Sequence, residues 1–220
     1  MIPEKYAGNM KMFFSITAFF LLFLVMPLSA VHAQRFNAGL MLGGVTSQVD
    51  GDTWDGYHKW GYLGGGYVSL QVSKHSSFQM ELEYIQKGSK RNDTSVSGGE
   101  TYLLRLHYIE IPFLYQYTFK KRFYFEAGPV ADVSIGSLEL RNGAVPPETV
   151  PLRPVTFAAI FGFGAYLTKH LKINIRSNYS LNSIRSINNY SGYRRIFFET
   201  GQYNNVLSLS LLWDFRPKEF

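Results

Sequence analysis

The side chains most able to do chemistry in this chain are acids on alternating positions of apolar segments. These acids are Glu81, Glu83, Glu110, Glu126, Asp132 and Asp214. Lys172 and Arg176 are bases that alternate with apolar residues in the same way. Paired carboxylates can hydrolyse glycosides, and facing acidic and basic walls can carry protons or ions. A third use is structural, because charges inside a narrow protein interior must be paired. We predict that all these acids point inward, and that Lys172 and Arg176 face Glu110 and Asp132 across the interior.

A serine with a histidine base would be another arrangement for catalysis. His58 and His107 are predicted to lie toward the outer side of the fold, and Ser95 and Ser97 fall in a loop. Nothing in their spacing forces these residues together. The segment His75–Ser77 is predicted to lie in a turn at the opposite end of the fold from His58 and His107. No catalytic residue is therefore predicted.

Cofactor and metal sites are not indicated either. The run Gly64–Gly66 has no helix after it on which a phosphate could sit, so we interpret it as room for a strand bend or for a bulky neighbour. The chain has no cysteine, which excludes disulfides and thiolate metal sites. We predict no cofactor and no metal.

The elements that must position these side chains are β-strands. "LKINIRSNYSLN" (171–182) and "VLSLSLLWDF" (206–215) alternate apolar with polar residues. A period of two indicates a strand with one apolar and one polar face. Eight such strands are predicted, at 36–48, 61–73, 77–90, 101–119, 123–137, 154–168, 171–184 and 204–216.

The connections between these strands alternate in length. Tight turns are predicted at Lys74–Ser76, Lys120–Arg122 and Lys169–His170, and long polar loops at 49–60, 91–100, 138–153 and 185–203. Short periplasmic turns and long outer loops are typical of outer-membrane barrels. The predicted fold class is all-β: an eight-stranded antiparallel up-and-down transmembrane β-barrel in the cell outer membrane.

The segment "HYIEIPFLYQYTFKKRFYFEAGP" (107–129) predicts one hairpin in detail. With the turn centred on Lys121, paired residue numbers sum to about 242, so Glu110 and Asp132 are neighbours. Phe and Tyr near the turn then point outward as an interfacial girdle. The outward positions are Ile111, Phe113, Tyr115, Tyr117, Phe119, Phe123, Phe125 and Ala127.

Two prolines complicate this hairpin. Pro112 falls opposite Val130 and Pro129 opposite Phe113, at one height of the sheet. Proline cannot donate a hydrogen bond to a neighbouring strand. We therefore predict a local β-bulge shared by both strands at the prolines.

The amino terminus is predicted to be a cleaved signal peptide. Lys5 and Lys11 precede an apolar run, and Val31 and Ala33 are small enough for cleavage before Gln34. The predicted domains are a signal peptide at 1–33 and the barrel at 34–220.

The hairpin motifs resemble those of a known family. "YIEIPFLYQY" (108–117), followed by "FYFEAGPVADVSI" (123–135), is similar to the PorT-type outer-membrane β-barrel family of Bacteroidetes. The specific part is the pair Glu110–Pro112 and Ala127–Pro129. The resemblance implies a small outer-membrane barrel, and the founding member of the family is tied to a secretion and gliding apparatus.

Charge and loop composition indicate partners at the surface. The net charge of +6 suits solubility or anionic lipid as well as nucleic acid. An exported barrel predicts contact with outer-membrane lipid and lipopolysaccharide, and no nucleic acid. The loops also combine aromatics with charge, which suits binding of an envelope protein. Their residues are Trp54, Tyr57, His58 and Trp60 in the first loop, and Tyr190, Tyr193, Arg194 and Arg195 in the last.

The predicted function is that of a small, non-enzymatic outer-membrane barrel with a side-chain-filled lumen. Its predicted role is structural or partner-binding in the cell envelope. One version of this hypothesis makes it a subunit of a secretion or envelope complex. One alternative is a barrel enzyme acting on outer-membrane lipid. The other is a soluble periplasmic barrel that carries an apolar ligand.

Overall fold

A computed structural model describes residues 35–52, 56–92, 101–147, 150–186, 194–196 and 199–217. The predicted signal peptide lies outside these residues. Within the described ranges, no helix is long and apolar enough to cross a membrane.

The described residues form ten strands. They are β1 Arg35–Asp50, β2 Lys59–Gln71, β3 Ser76–Asn92, β4 Thr101–Phe119, β5 Phe123–Arg141, β6 Val155–Tyr166, β7 Leu171–Ser180, β8 Arg185–Ser186, β9 Arg194–Ile196 and β10 Glu199–Asp214. The predicted strands lie within a few residues of the eight long ones.

The eight long strands close into an antiparallel ring. Each of β1 to β7 pairs with the next, β7 pairs with β10, and β10 pairs with β1 from Gly39↔Asp214 to Asp50↔Tyr203. The short strands β8 and β9 pair with the outer end of β10. Closure gives every long strand two neighbours and so removes the sheet edges. The predicted barrel is confirmed, and the end with the short turns is its periplasmic end.

The outer surface of the barrel is apolar. On β10, Leu207, Leu209 and Leu211 are 36–55% exposed, whereas Ser208 and Ser210 between them are buried. An apolar exterior around a polar interior is the arrangement that a lipid bilayer requires. The alternative of a soluble carrier with its apolar face inward is therefore wrong.

The hairpin of β4 and β5 has the predicted register near its turn. Pairs sum to 242 from Tyr108↔Ser134 to Phe119↔Phe123. The rings of Phe119 and Phe125 stack with centroids 5.1 Å apart, and Tyr117 on the same face is exposed. The outward aromatic cluster beside this turn is confirmed.

The predicted bulge at the prolines is wrong. Pro112 does face Val130, and Tyr115 faces Ala127, so the register is the same on both sides of Pro129. Between these two pairs, no residue of β4 is paired with β5. Losing local pairs, without inserting a residue, accommodates a proline that has no N–H to donate.

The register shift of this hairpin lies nearer its outer end. His107 pairs with Gly136, while Tyr108 pairs with Ser134. Ile135 is the extra residue on β5, as in a β-bulge. Even-numbered residues of β5 face the lumen before Ile135, and odd-numbered residues face it between Ile135 and the outer end.

Candidate functional site in the lumen

A lysine and two acids form the first ion cluster at the centre of the lumen. Glu110 on β4 and Asp132 on β5 are cross-strand neighbours, as predicted. Lys87 on β3 forms ion pairs with Glu110 and with Asp132, the latter with 3.0 Å between Nζ and Oδ2. All three side chains are fully buried. Because a lone buried charge is costly, each of these residues depends on the others.

An arginine on β7 organises the second ion cluster. Arg176 donates from two nitrogens to the carboxylate of Glu81, at 2.7 Å each, and from Nε to Oε1 of Glu126 at 2.5 Å. Asn174 and Gln116 donate to the two oxygens of Glu126 at 2.9 and 2.8 Å. Bidentate guanidinium–carboxylate geometry with extra donors is the arrangement that stabilises buried charge.

One glycine leaves room for these charged side chains, and a second lets two strands approach closely. A Cβ at Gly162 would lie 2.7 Å from Oε1 of Glu126 and 3.1 Å from Cγ of Arg176. A Cβ at Gly65 would lie 2.3 Å from the carbonyl oxygen of Leu82 and 2.6 Å from Cα of Glu83. This glycine of the Gly64–Gly66 run therefore lets the backbone of β3 approach closely, and does not leave room for a bulky side chain.

The acids were predicted correctly, but the partners of the two predicted bases were not. All six predicted inward acids are buried, as are Lys172 and Arg176. However, Lys172 and Arg176 do not face the Glu110–Asp132 pair, whose counter-charge is Lys87. Lys87 was identifiable from the sequence, because it shares the odd-numbered face of β3 with Glu81 and Glu83.

Apolar side chains fill the outer end of the lumen. A buried cluster includes Val45 and Val49 on β1, Leu104 and Leu106 on β4, and Ile184. The four strand residues lie on the parts of β1 and β4 nearest the long loops, and Ile184 lies between β7 and β8. The lumen is therefore filled by two kinds of packing, of which the sequence analysis predicted only the polar one.

Polar contacts cap this apolar cluster. Arg185 pairs with Glu139, with 2.7 Å between Nη2 and Oε2, and the Tyr102 hydroxyl donates to the same carboxylate at 3.1 Å. Glu139 faces inward because the bulge shifts the outer part of β5. At the first long loop, Tyr57 donates to Asn205 Oδ1 at 2.7 Å. These contacts tie the loop bases to the barrel wall.

A cavity of about 640 Å³ occupies the periplasmic end. Lys172 and Asp214 meet at its wall, with 3.1 Å between Nζ and Oδ1. The Tyr67 hydroxyl also donates to Oδ1 of Asp214, at 2.6 Å. Lys172 Nζ lies 4.6 Å from the ring centroid of Tyr67 and 5.6 Å from that of Tyr166, within cation–π range.

The histidines considered for catalysis do not form a nucleophile–base pair among the described residues. Nδ1 of His107 lies 2.5 Å from the Tyr84 hydroxyl, and His58 is exposed at a loop. Ser95 and Ser97 lie outside the described residues. In the periplasmic turn, the ring of His75 stacks on an aromatic side chain. The part of the chain that is described also contains no group of side chains able to hold a metal.

The predicted loop-binding residues are only partly visible. Trp60 is 75% exposed at the outer end of β2, and Arg194 and Arg195 belong to β9. Trp54, Tyr190 and Tyr193 lie outside the described residues. A binding role for this set stays a prediction.

Known proteins resemble the chain in domain type and in fold. Residues 32–186 match the family described as "Outer membrane protein beta-barrel domain". Neisserial surface protein A aligns with a TM-score of 0.50 at 10% identity, over 81% of this chain and 97% of that one. Ail, the attachment invasion locus protein of Yersinia pestis, aligns with a TM-score of 0.44 at 10% identity, over 81% and 98%. No curated protein matches the chain.

Proposed function

Because this chain belongs to the outer membrane protein beta-barrel domain family and resides in the outer membrane, we propose that it is a non-enzymatic envelope protein that conducts no solutes. It is a structural component of the envelope, or it binds partners through the two ends of the barrel. The observation that carries this proposal is the filled lumen: Lys87, Glu110 and Asp132 are fully buried at its centre.

Two layers oppose the passage of solutes. A permeating ion would have to separate the buried pairs of Arg176 with Glu81 and Glu126, which leaves uncompensated charge behind. It would also have to cross the packed side chains of Leu104 and Leu106, and apolar constrictions block ions by excluding water. A barrel of this size has an interior just wide enough for its own side chains or for one small ligand, and not for an open channel.

Liposome swelling tests this proposal. The full mature chain is refolded into lipid vesicles, which are diluted into an isotonic pentose solution. We expect no swelling beyond that of empty vesicles, while vesicles with an open porin swell. Swelling by the wild-type protein would refute the proposal and favour a transport role.

The non-enzymatic part is supported by the surroundings of the two histidines. His107 bonds to Tyr84, and His58 is exposed. Mass spectra of outer-membrane lipids should be the same with the wild-type chain, with His58→Ala and with His107→Ala. A lipid product that depends on either histidine would instead support the barrel enzyme.

The outer loops are the proposed contact with lipopolysaccharide or an envelope protein. Support comes from Trp60, which is exposed beside the first long loop; exposed aromatics lead binding hot spots. A photo-reactive amino acid at position 60 should cross-link to lipopolysaccharide or to a discrete protein in intact cells. The same probe at Phe125, on the lipid face near the periplasmic turns, is the control and should give phospholipid adducts alone.

Membership of the PorT-type branch, with a place in a secretion or envelope complex, is a further part of the proposal. It is supported by the motifs around Pro112 and Pro129. Glu110 within the first motif pairs with Lys87 in the lumen, so this residue serves the barrel itself. Purification of the tagged chain after cross-linking in cells tests the complex, and mass spectrometry of the mature amino terminus tests cleavage before Gln34.

A further inference from the structure

The cavity at the periplasmic end is large enough for a small molecule. Its volume of about 640 Å³ is in the range of ligand pockets. Gln116 lies on its wall and also donates to Glu126 of the Arg176 cluster. The cavity therefore ends at the buried charges of the lumen, and its mouth is formed by the short turns.

Positive charge dominates the lining of this cavity. Lys74, Lys121, Lys172 and Arg216 contribute to it, and the acid on the same wall is Asp214. That acid is already compensated by Lys172 and by a tyrosine hydroxyl. Within the described ranges, Lys74 and Lys121 form no ion pair, so their charge is available to a ligand.

The turn between β4 and β5 keeps lysine in an unfavourable backbone conformation. Lys120 and Lys121 have φ values of 47° and 60°, in the left-handed region that favours glycine or asparagine in hairpin turns. A turn selected for its backbone alone would carry one of those residues. Of the two lysines, Lys121 lines the cavity, so its side chain is the one available to a ligand there.

We propose that this cavity binds a small phosphate-bearing anion at the periplasmic face of the outer membrane. The ammonium groups of Lys74 and Lys121 and the guanidinium of Arg216 are the groups that bind phosphate in proteins. Phe36 and Tyr166 on the wall would contact an apolar part of the ligand. The phosphate could belong to a soluble ester or to the headgroup of an anionic phospholipid. This proposed site does not involve the outer loops, so it does not depend on the proposed loop contacts.

Calorimetry on the full mature chain tests the site. The protein is reconstituted in phosphatidylcholine nanodiscs and titrated with inorganic pyrophosphate. We expect saturable binding that the double variant Lys74→Gln/Lys121→Gln weakens by roughly tenfold or more, since charge-assisted contacts are lost. The matched control is Lys120→Gln/Lys169→Gln, which removes the same charge from neighbouring turns outside the cavity lining. It should change the affinity less than about twofold, because these two lysines do not line the cavity and salt screens their charge from a ligand that they do not contact.

The outcomes separate the proposal from its alternatives. The proposal would be overturned if binding is not saturable, or if the two double variants lose affinity equally. In that case the protein attracts anions only through its general surface charge. All four lysines are exposed, so both variants should fold and shift in mobility on boiling. Nanodiscs with added phosphatidylglycerol distinguish the sources of phosphate. Competition by this lipid identifies a headgroup site, and unchanged pyrophosphate affinity identifies a site for soluble anions.

Discussion

The two ends of the lumen are filled differently within one wall of strands. Toward the outer end, Val45, Leu104 and Leu106 belong to a buried apolar cluster that borders the Lys87 ion cluster. Toward the periplasm, Lys172 and Asp214 pair beside an open cavity. The sheet is continuous between the two regions, so the difference lies in the inward side chains alone.

This contrast shows how a narrow barrel can be closed and still present a binding surface. Apolar side chains need no partners, so their layer tolerates loss of one member with a graded penalty. Buried charges depend on each partner, so losing one base has a larger effect. The polar half is also the half that water can enter, and a cavity can form there. Mutations should therefore act differently in the two regions.

The largest effect is expected in the central ion cluster. Lys87→Met leaves Glu110 and Asp132 without their base and should lower the free energy of unfolding by about 3–5 kcal/mol. Urea titration in lipid vesicles, followed by the mobility shift on gels, measures this change. Lys90→Met on the exposed face of the same strand is the control and should have little effect. Equal losses in the two variants would mean that the cluster contributes nothing specific.

A smaller loss is expected in the apolar layer. Leu106→Ala removes a fully buried side chain and should cost about 3 kcal/mol, through lost burial and a residual cavity. Leu209→Ala is the matched control on the lipid face, where the side chain is 55% exposed and leaves no internal cavity. The same titration should show the lumen variant to be the less stable. The opposite order would place Leu106 outside the packed core.

The smallest effect is expected at Glu83. This buried acid lies opposite Glu110 in the β3–β4 register, and among the described residues no base pairs with it. Glu83→Gln keeps a side chain that can hydrogen-bond to Glu110 and removes an ionisable group from the acid pair, so it should change stability by less than about 1 kcal/mol, toward the folded state. Glu126→Gln, which takes a partner from Arg176, should be clearly destabilising. A strong loss in Glu83→Gln would reveal a partner outside the described residues.

Much of the barrel could be predicted because alternation fixes the face of every residue. The register of the β4–β5 hairpin followed from its turn, and Glu110 and Asp132 were therefore correctly placed as neighbours. The bulge was misplaced because proline marks a weak point in strand pairing, whereas Ile135 carries no local signal. The left-handed backbone conformation of the two lysines in the same turn could not be predicted either, because lysine rarely adopts it.

The lumen was less predictable than the wall. Inward acids are conspicuous among apolar residues, but apolar inward residues look like lipid-facing ones on a sequence. Leu104 and Leu106 could be identified as inward-facing only because, like Glu110, they occupy even-numbered positions of β4. The basic cavity depends on turns that are distant in sequence, so Lys74, Lys121 and Arg216 came together only in the fold.

The most direct test of the closed lumen uses the absence of cysteine from the chain. Two matched single-cysteine variants report on the two ends: Ser69→Cys lines the periplasmic cavity, and Ser47→Cys is buried at the outer end. A membrane-impermeant maleimide should label neither variant in intact cells, and Ser69→Cys alone once the reagent is admitted to the periplasm. Labelling of Ser69→Cys from outside intact cells would show a lumen open from end to end and contradict this account.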